Sequence, residues 1–165
     1  MRAGILTVSD RSSRGEREDA SGPALSRWLE ERGVKTGRLG IVPDEENRIA
    51  AVLRNWADEE EFELILTTGG TGVSPRDVTP EATLKVVEWT IPGFGERMRS
   101  RSLEKTPMAT LSRAVAGVRK RSLIINLPGS PKGAVENLEA VWDAVPHAVE
   151  KIRGDESECA PPPVP

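Results

Sequence analysis

The run Thr67-Thr-Gly-Gly-Thr-Gly-Val-Ser-Pro-Arg-Asp77 is the densest cluster of chemistry-bearing residues in the chain. Gly69, Gly70 and Gly72 allow backbone N–H groups to approach an anion closely. The hydroxyls of Thr68, Thr71 and Ser74 add donors. A helix starting just beyond the run would aim its positive end at the same anion. No Gly-Lys-Ser/Thr follows, so this is not a P-loop. The third glycine of the dinucleotide fingerprint is also absent. The competing reading is a plain glycine-rich turn between a strand and a helix.

Two carboxylates accompany the loop. Asp44 follows Pro43, and Asp77 closes the glycine run. A pair of aspartates at neighbouring strand ends can hold Mg²⁺ for a phosphate-bearing substrate. Either one alone can equally be the N-cap or dipole partner of the next helix. Ser9-Asp10 and Pro128-Gly129-Ser130 are two further polar clusters, and Ser130 with Lys132 suits a second anion or a plain Ser-Pro helix start. Arg97, Arg99, Arg101, Lys105, Arg113, Arg119, Lys120 and Arg121 form a basic stretch, read as either a steering patch or a solvated face. Asp58-Glu-Glu-Glu61 reads as a solvated helix end, and His147 as a surface or packing residue.

The elements that must position these groups alternate between strand and helix patterns. Ala3 to Val8 and Leu64 to Leu66 are continuous apolar runs, as expected of strands buried on both faces. Leu25, Trp28 and Leu29 mark one helical stripe; Ile49, Val52, Leu53 and Trp56 mark another. Val34 to Val42 alternates like a more exposed strand. Thr79-Pro80-Glu81 reads as N-cap, first-position proline and first-turn acid. From Pro92 to about Leu111 the pattern is helical but broken. Arg113 to Val118 and Ser122 to Leu127 flank Arg119-Lys-Arg121, which predicts a hairpin and one antiparallel strand. Ser130-Pro131 opens a long last helix that continues through Ile152. The alternation predicts a three-layer α/β/α sandwich over a mostly parallel sheet. In such a sheet ligands bind beyond the carboxyl ends of the strands, where Ser9-Asp10, Pro43-Asp44, the Thr67 to Asp77 run and Pro128-Gly129-Ser130 fall. Residues 1–154 form the domain, and 155–165, with Pro161-Pro-Pro163, read as a disordered proline-rich tail.

Composition narrows the function classes. One domain is the expectation for 165 residues, which bury roughly 70% of the unfolded surface without metal or disulfide. A net charge of −3 argues against a dedicated duplex-nucleic-acid binder. The lone Cys159 excludes an internal disulfide, and the lone His147 excludes a site needing several imidazoles. No apolar run approaches a membrane span, and the N-terminus lacks a signal-peptide pattern, so the expected compartment is the cytoplasm.

Together, Thr67-Thr-Gly-Gly-Thr-Gly72 and Arg76-Asp-Val-Thr-Pro-Glu81 resemble the signature of the Mog/MoaB family of molybdenum cofactor biosynthesis. Thr7-Val-Ser-Asp10, Ser21-Gly-Pro23, Pro43-Asp-Glu45, Pro92-Gly-Phe-Gly-Glu96, Leu111-Ser-Arg113 and Asn126-Leu-Pro-Gly129 match it too. They run in family order from residue 4 to about 150. The resemblance implies a molybdopterin-binding fold and adenylylation of molybdopterin by MgATP, with release of pyrophosphate. It implies that Asp44 and Asp77 organise Mg²⁺ and phosphates. The Gly69 loop would hold ATP, and the Ser130 region would hold the pterin. It also implies a homo-oligomer, a trimer or a hexamer, handing its product to a molybdenum-insertion protein. The chain is shorter at its C-terminal side than typical Mog members, and Ser112-Arg-Ala-Val-Ala-Gly117 looks like MoaB. The alternative is therefore a non-catalytic molybdopterin-binding or scaffold protein.

Overall fold

The computed structural model describes residues 1–156, so Cys159 and most of the proline-rich tail lie outside it. Six strands, β1 (Arg2–Val8), β2 (Lys35–Val42), β3 (Leu64–Thr68), β4 (Trp89–Thr90), β5 (Ala116–Arg119) and β6 (Ser122–Leu127), form one sheet. Their spatial order is β2-β1-β3-β6-β5-β4. β2, β1, β3 and β6 are mutually parallel, while β5 runs antiparallel to both β6 and β4. The expected hairpin and single antiparallel strand are therefore present, with Lys120 in the left-handed region at the turn (φ 49°).

The alternation of side chains along the strands sorts the core into two layers. Ala3, Ile5, Leu64, Leu66, Leu123 and Ile125 face one way, onto α2 (Ser21–Glu30), α5 (Pro92–Leu103), α6 (Pro131–Val141) and α7 (Val145–Ile152). Leu6, Val8, Ile65 and Ile124 face the other way, onto α3 (Glu46–Asp58) and α4 (Thr79–Leu84). Helices on both faces make the expected three-layer sandwich, and a single-turn α1 (Asp10–Ser13) follows β1. Trp28 and Trp56 are core residues, and Trp142 packs edge-on against Trp28 at 5.0 Å. Trp89 sits on the edge strand β4 and is exposed. No helix among the described residues is long and apolar enough to cross a membrane.

Three local expectations are corrected. The long last helix is interrupted by a 3-10 turn at Trp142–Ala144, after which Pro146 opens α7. Proline has no N–H to continue the helical ladder and suits only a first turn. Thr79 is not an N-cap. It lies inside α4, whose capping position is Val78, and its hydroxyl donates to Gly69 O at 2.9 Å. Asp58 is not solvated either, because Arg119 and Lys120 reach it from the β5–β6 hairpin.

Candidate active site at the carboxyl edge of the sheet

Strand order reverses at β1, which has β2 on one side and β3 on the other. Such a switch point splays the two following loops apart and opens a crevice beyond the strand ends. A polar cavity lies there, lined by Ser9, Asp44, Thr68, Gly69, Gly70, Asp77, Gly129 and Ser130 among others. Loops after all four parallel strands contribute to it.

Glycine is required where β3 ends. Gly69 has φ +103°, and a Cβ there would stand 2.3 Å from Val8 O. At Gly70 (φ +64°) a Cβ would meet the Thr79 hydroxyl at 2.4 Å. A side chain at either place would push β1, β3 and α4 apart. The loop is fastened from several directions. Gly69 N–H donates to Leu127 O at 3.1 Å, and the Thr68 hydroxyl donates to Pro128 O at 2.6 Å. Beneath it, the buried Asn126 amide donates to the hydroxyls of Thr67 (3.0 Å) and Thr83 (2.9 Å). Thr68 is thus a strut between two loops, with its proton already committed. The N–H groups of Gly70, Thr71 and Gly72 have no partner among the described residues, which leaves them for an anion. The helix contributes less than expected, since α4 has six residues and Thr79 N–H is spent on Gly70 O.

Asp44 and Asp77 face each other across this cavity, and neither caps its following helix. The Asp44 Oδ2 accepts from Asp10 N–H at 2.8 Å, while Asp44 N–H donates back to Asp10 Oδ1 at 3.0 Å. Asp10 in turn takes both arms of Arg76, at 2.9 and 2.8 Å. That guanidinium holds the Asp10 carboxyl below the usual carboxylate range. The Asp77 Oδ2 accepts from Ser74 N–H at 2.9 Å. One oxygen of each aspartate is therefore left without a donor, and no salt bridge among the described residues reaches either carboxylate. Burial pushes the Asp44 carboxyl up, and the negative charges of Asp10 and Asp77 push the same way.

The arrangement has close counterparts. Residues 4–147 match the family model described as "Probable molybdopterin binding domain". The chain belongs to the molybdopterin-binding domain family. The molybdopterin adenylyltransferase of Helicobacter pylori is 49% identical over 154 residues, covering 92% of this chain and 88% of the relative. That of Escherichia coli K12 is 43% identical, covering 98% and 90%. Among solved structures, the molybdopterin biosynthesis enzyme MoaB of Thermus thermophilus superposes with a TM-score of 0.88 at 54% identity, covering 93% and 97%.

Within this molybdopterin-binding domain the predicted site residues divide into two neighbouring cavities. Thr71, Gly72 and Pro128 line the second one, and Ser130, which caps α6 by accepting from Gly133 N–H at 3.1 Å, borders both. Asp10 and Ser74 line neither; they orient Asp44 and Asp77 instead. The second cavity also has residues that sequence reading missed, notably Arg99, Ser102, Lys105 and Asn137. Arg99 and Lys105 were visible only as members of a basic stretch. The buried Asn137 gave no signal beyond a polar residue on an apolar helix.

The donor set suits Mg²⁺. No cluster of three metal-binding side chains exists among the described residues, so a protein cage for a metal is absent. Mg²⁺ characteristically takes one or two carboxylates and completes its shell with water and substrate phosphates. Two free carboxylate oxygens beside unpartnered N–H groups match that demand.

Proposed function

We propose that this chain transfers the adenylyl group of ATP to the terminal phosphate of molybdopterin. An oxygen of the pterin phosphate attacks the α-phosphorus, the bond from that phosphorus to the bridging oxygen breaks, and pyrophosphate leaves with the electron pair. The observation that carries this reading is the pair of unneutralised aspartates sharing one cavity with the Gly69 loop. The relatives named molybdopterin adenylyltransferase supply the reaction class.

The polar cavity would take the ATP phosphates, and the adjoining cavity would take the pterin. With volumes of about 350 and 290 Å³, neither is large enough to hold both substrates alone. Ser130, on the border, lies where the reacting phosphates would meet. The attacking phosphate is already anionic at neutral pH, so no general base is needed, and positioning with charge neutralisation carries the catalysis. Asp44 and Asp77 would hold Mg²⁺, which when bound offsets the phosphate charge. The Gly70 amide would orient the triphosphate, and the Thr71 and Gly72 amides, beside the second cavity, would hold the pterin phosphate that attacks it. The exposed His147 on α7 has no part in it.

Incubation with molybdopterin and MgATP should yield adenylyl-molybdopterin and pyrophosphate in equal amounts. A protein that binds molybdopterin but forms no product would be the binding or scaffold module instead. The same reading makes the working protein a cytoplasmic homo-oligomer, trimer or hexamer, that passes its product to a molybdenum-insertion protein. A monomer in sedimentation at micromolar concentration would remove the oligomer.

A further inference from the structure

Arg113 lines neither cavity, yet it grips the loop that borders both. Its main-chain N–H donates to Thr71 O at 2.9 Å. Its Nε donates to Gly72 O at 2.6 Å and its Nη2 to Asp77 O at 2.6 Å, while Nη1 pairs with the Glu81 carboxylate. One planar fork thus clamps the two ends of the segment from Gly72 to Asp77 and ties both to the first turn of α4.

The segment between the two grips has little else to hold it. Val73, Ser74, Pro75 and Arg76 are all exposed, with Val73 at 62%. Inside the segment only the Ser74–Asp77 turn closes the backbone, with Asp77 N–H on Ser74 O at 2.9 Å. Its outer tether is the exposed Arg76–Asp10 pair, and such pairs hold weakly in water. Other arginines of the basic stretch bind carbonyls elsewhere: Arg97 on Ala140, Arg99 on Ser112 and Ala114, Arg121 on Arg153. Arg113 alone among them reaches back to the glycine loop.

We propose that Arg113 is a positioning residue that fixes the Asp77 carboxylate and the glycine-loop amides against the phosphates. This rests on the adenylyl-transfer reading. The clamp needs divergent donors on a rigid plane; a lysine ammonium is a single point and cannot span Gly72 O, Asp77 O and Glu81 together. Because the held groups matter most as charge shifts in the transition state, loosening them should lower turnover more than pterin binding.

The test compares Arg113→Gln and Arg113→Lys with Arg97→Gln as a control. Two readouts are taken: tryptic nicking at the Arg76–Asp77 bond, and the kcat and KM of adenylylation. Arg113→Gln should be nicked at least tenfold faster than the unaltered chain, and Arg113→Lys to an intermediate degree. Its kcat should fall on the order of 30-fold while the molybdopterin KM stays within about threefold. Arg97→Gln should match the unaltered chain in both. Nicking at the unaltered rate, an unchanged kcat, or a kcat and KM that fall together in step with melting temperature would each overturn the proposal. If the unaltered chain forms no adenylylated product, the function reading fails, and the nicking rates still decide whether Arg113 holds the loop.

Discussion

Two pairs of carboxylates, one at each edge of the sheet, are held in opposite ways. At the amino-terminal edge, Asp58 accepts from Arg119 at 2.9 and 2.6 Å, with Lys120 at 3.3 Å. Glu63 likewise gathers the Arg2 N–H at 2.5 Å, the N-terminal ammonium at 3.9 Å and Arg153 at 3.7 Å. At the carboxyl edge, Asp44 and Asp77 share a cavity with no such partner among the described residues. The environments push the acids apart: Arg119 holds Asp58 below the ordinary carboxylate range, while burial raises Asp44. A fold selected only for stability would neutralise both edges. Charge left uncompensated at the carboxyl edge is what the proposed phosphate and Mg²⁺ role of Asp44 and Asp77 requires.

The sharpest way to break this contrast is Asp77→Asn, with Asp44→Asn beside it. Asparagine keeps an oxygen to accept from Ser74 or Asp10 N–H, so the loops should hold their shape while the charge is gone. Adenylylation should fall by on the order of 100-fold or more, roughly 2.7 kcal/mol of lost transition-state stabilisation. Molybdopterin affinity should stay within a fewfold and the melting temperature should not drop, since one of two facing negative charges has been removed. An Asp77→Asn protein with unaltered turnover would return this edge to a structural role.

That Asp44 and Asp77 stand together at the carboxyl edge was legible in the sequence; how they are held was not. Strand ends, glycine spacing and turn residues are local signals, so β1, β3, the hairpin and the Gly69 loop could be read directly. Its place at a strand end makes Asp10 a candidate binding residue, yet its carboxylate is spent on Asp44 N–H and Arg76, across three loops. The basic stretch was read as steering charge or solvated face. Arg97, Arg101, Lys105, Lys120 and Arg121 are exposed, whereas the half-buried Arg99 and Arg113 donate to backbone carbonyls and Arg119 forks onto Asp58. A guanidinium reaching 36 to 41 residues back along the chain leaves no periodicity to detect. The same holds for Asn126, whose amide ties β3 to α4 only once β6 has paired. Sequence pattern reports which face a residue takes, whereas polar partners depend on the finished topology.

A second effect, smaller and on stability, tests the opposite edge. Asp58→Asn removes the negative charge facing Arg119 and one of the two oxygens its fork donates to, at a pair whose side chains are only 16% and 21% exposed. The loss should be about 2 kcal/mol, the scale of a charge-assisted hydrogen-bonded pair. That corresponds to a fall in melting temperature of roughly 5 °C. Turnover at 25 °C should be unchanged, because Asp58 closes α3 at the far end of the sheet from the cavity. Lost turnover without lost stability would erase the distinction between the edges.

The smallest effect is its pH dependence, which fixes the sign of the argument. Asp58 has a folded-state value below its unfolded one, so the unfolded chain binds the proton more readily. Stability from the pair is therefore fully present above the unfolded carboxylate value, near pH 4, and drains away as pH falls through the folded value. Asp58→Asn cannot titrate. The gap in unfolding free energy between the two proteins should be constant from about pH 8 to pH 6 and close steadily below about pH 4.5. Other acids titrate in both proteins and cancel in the difference, including Asp10, which Arg76 lowers in the same direction. Chemical denaturation at a series of pH values measures the gap directly. A gap that widened on acidification would mean that the unfolded chain, not the folded one, favours ionised Asp58, and the neutralised edge would lose its meaning.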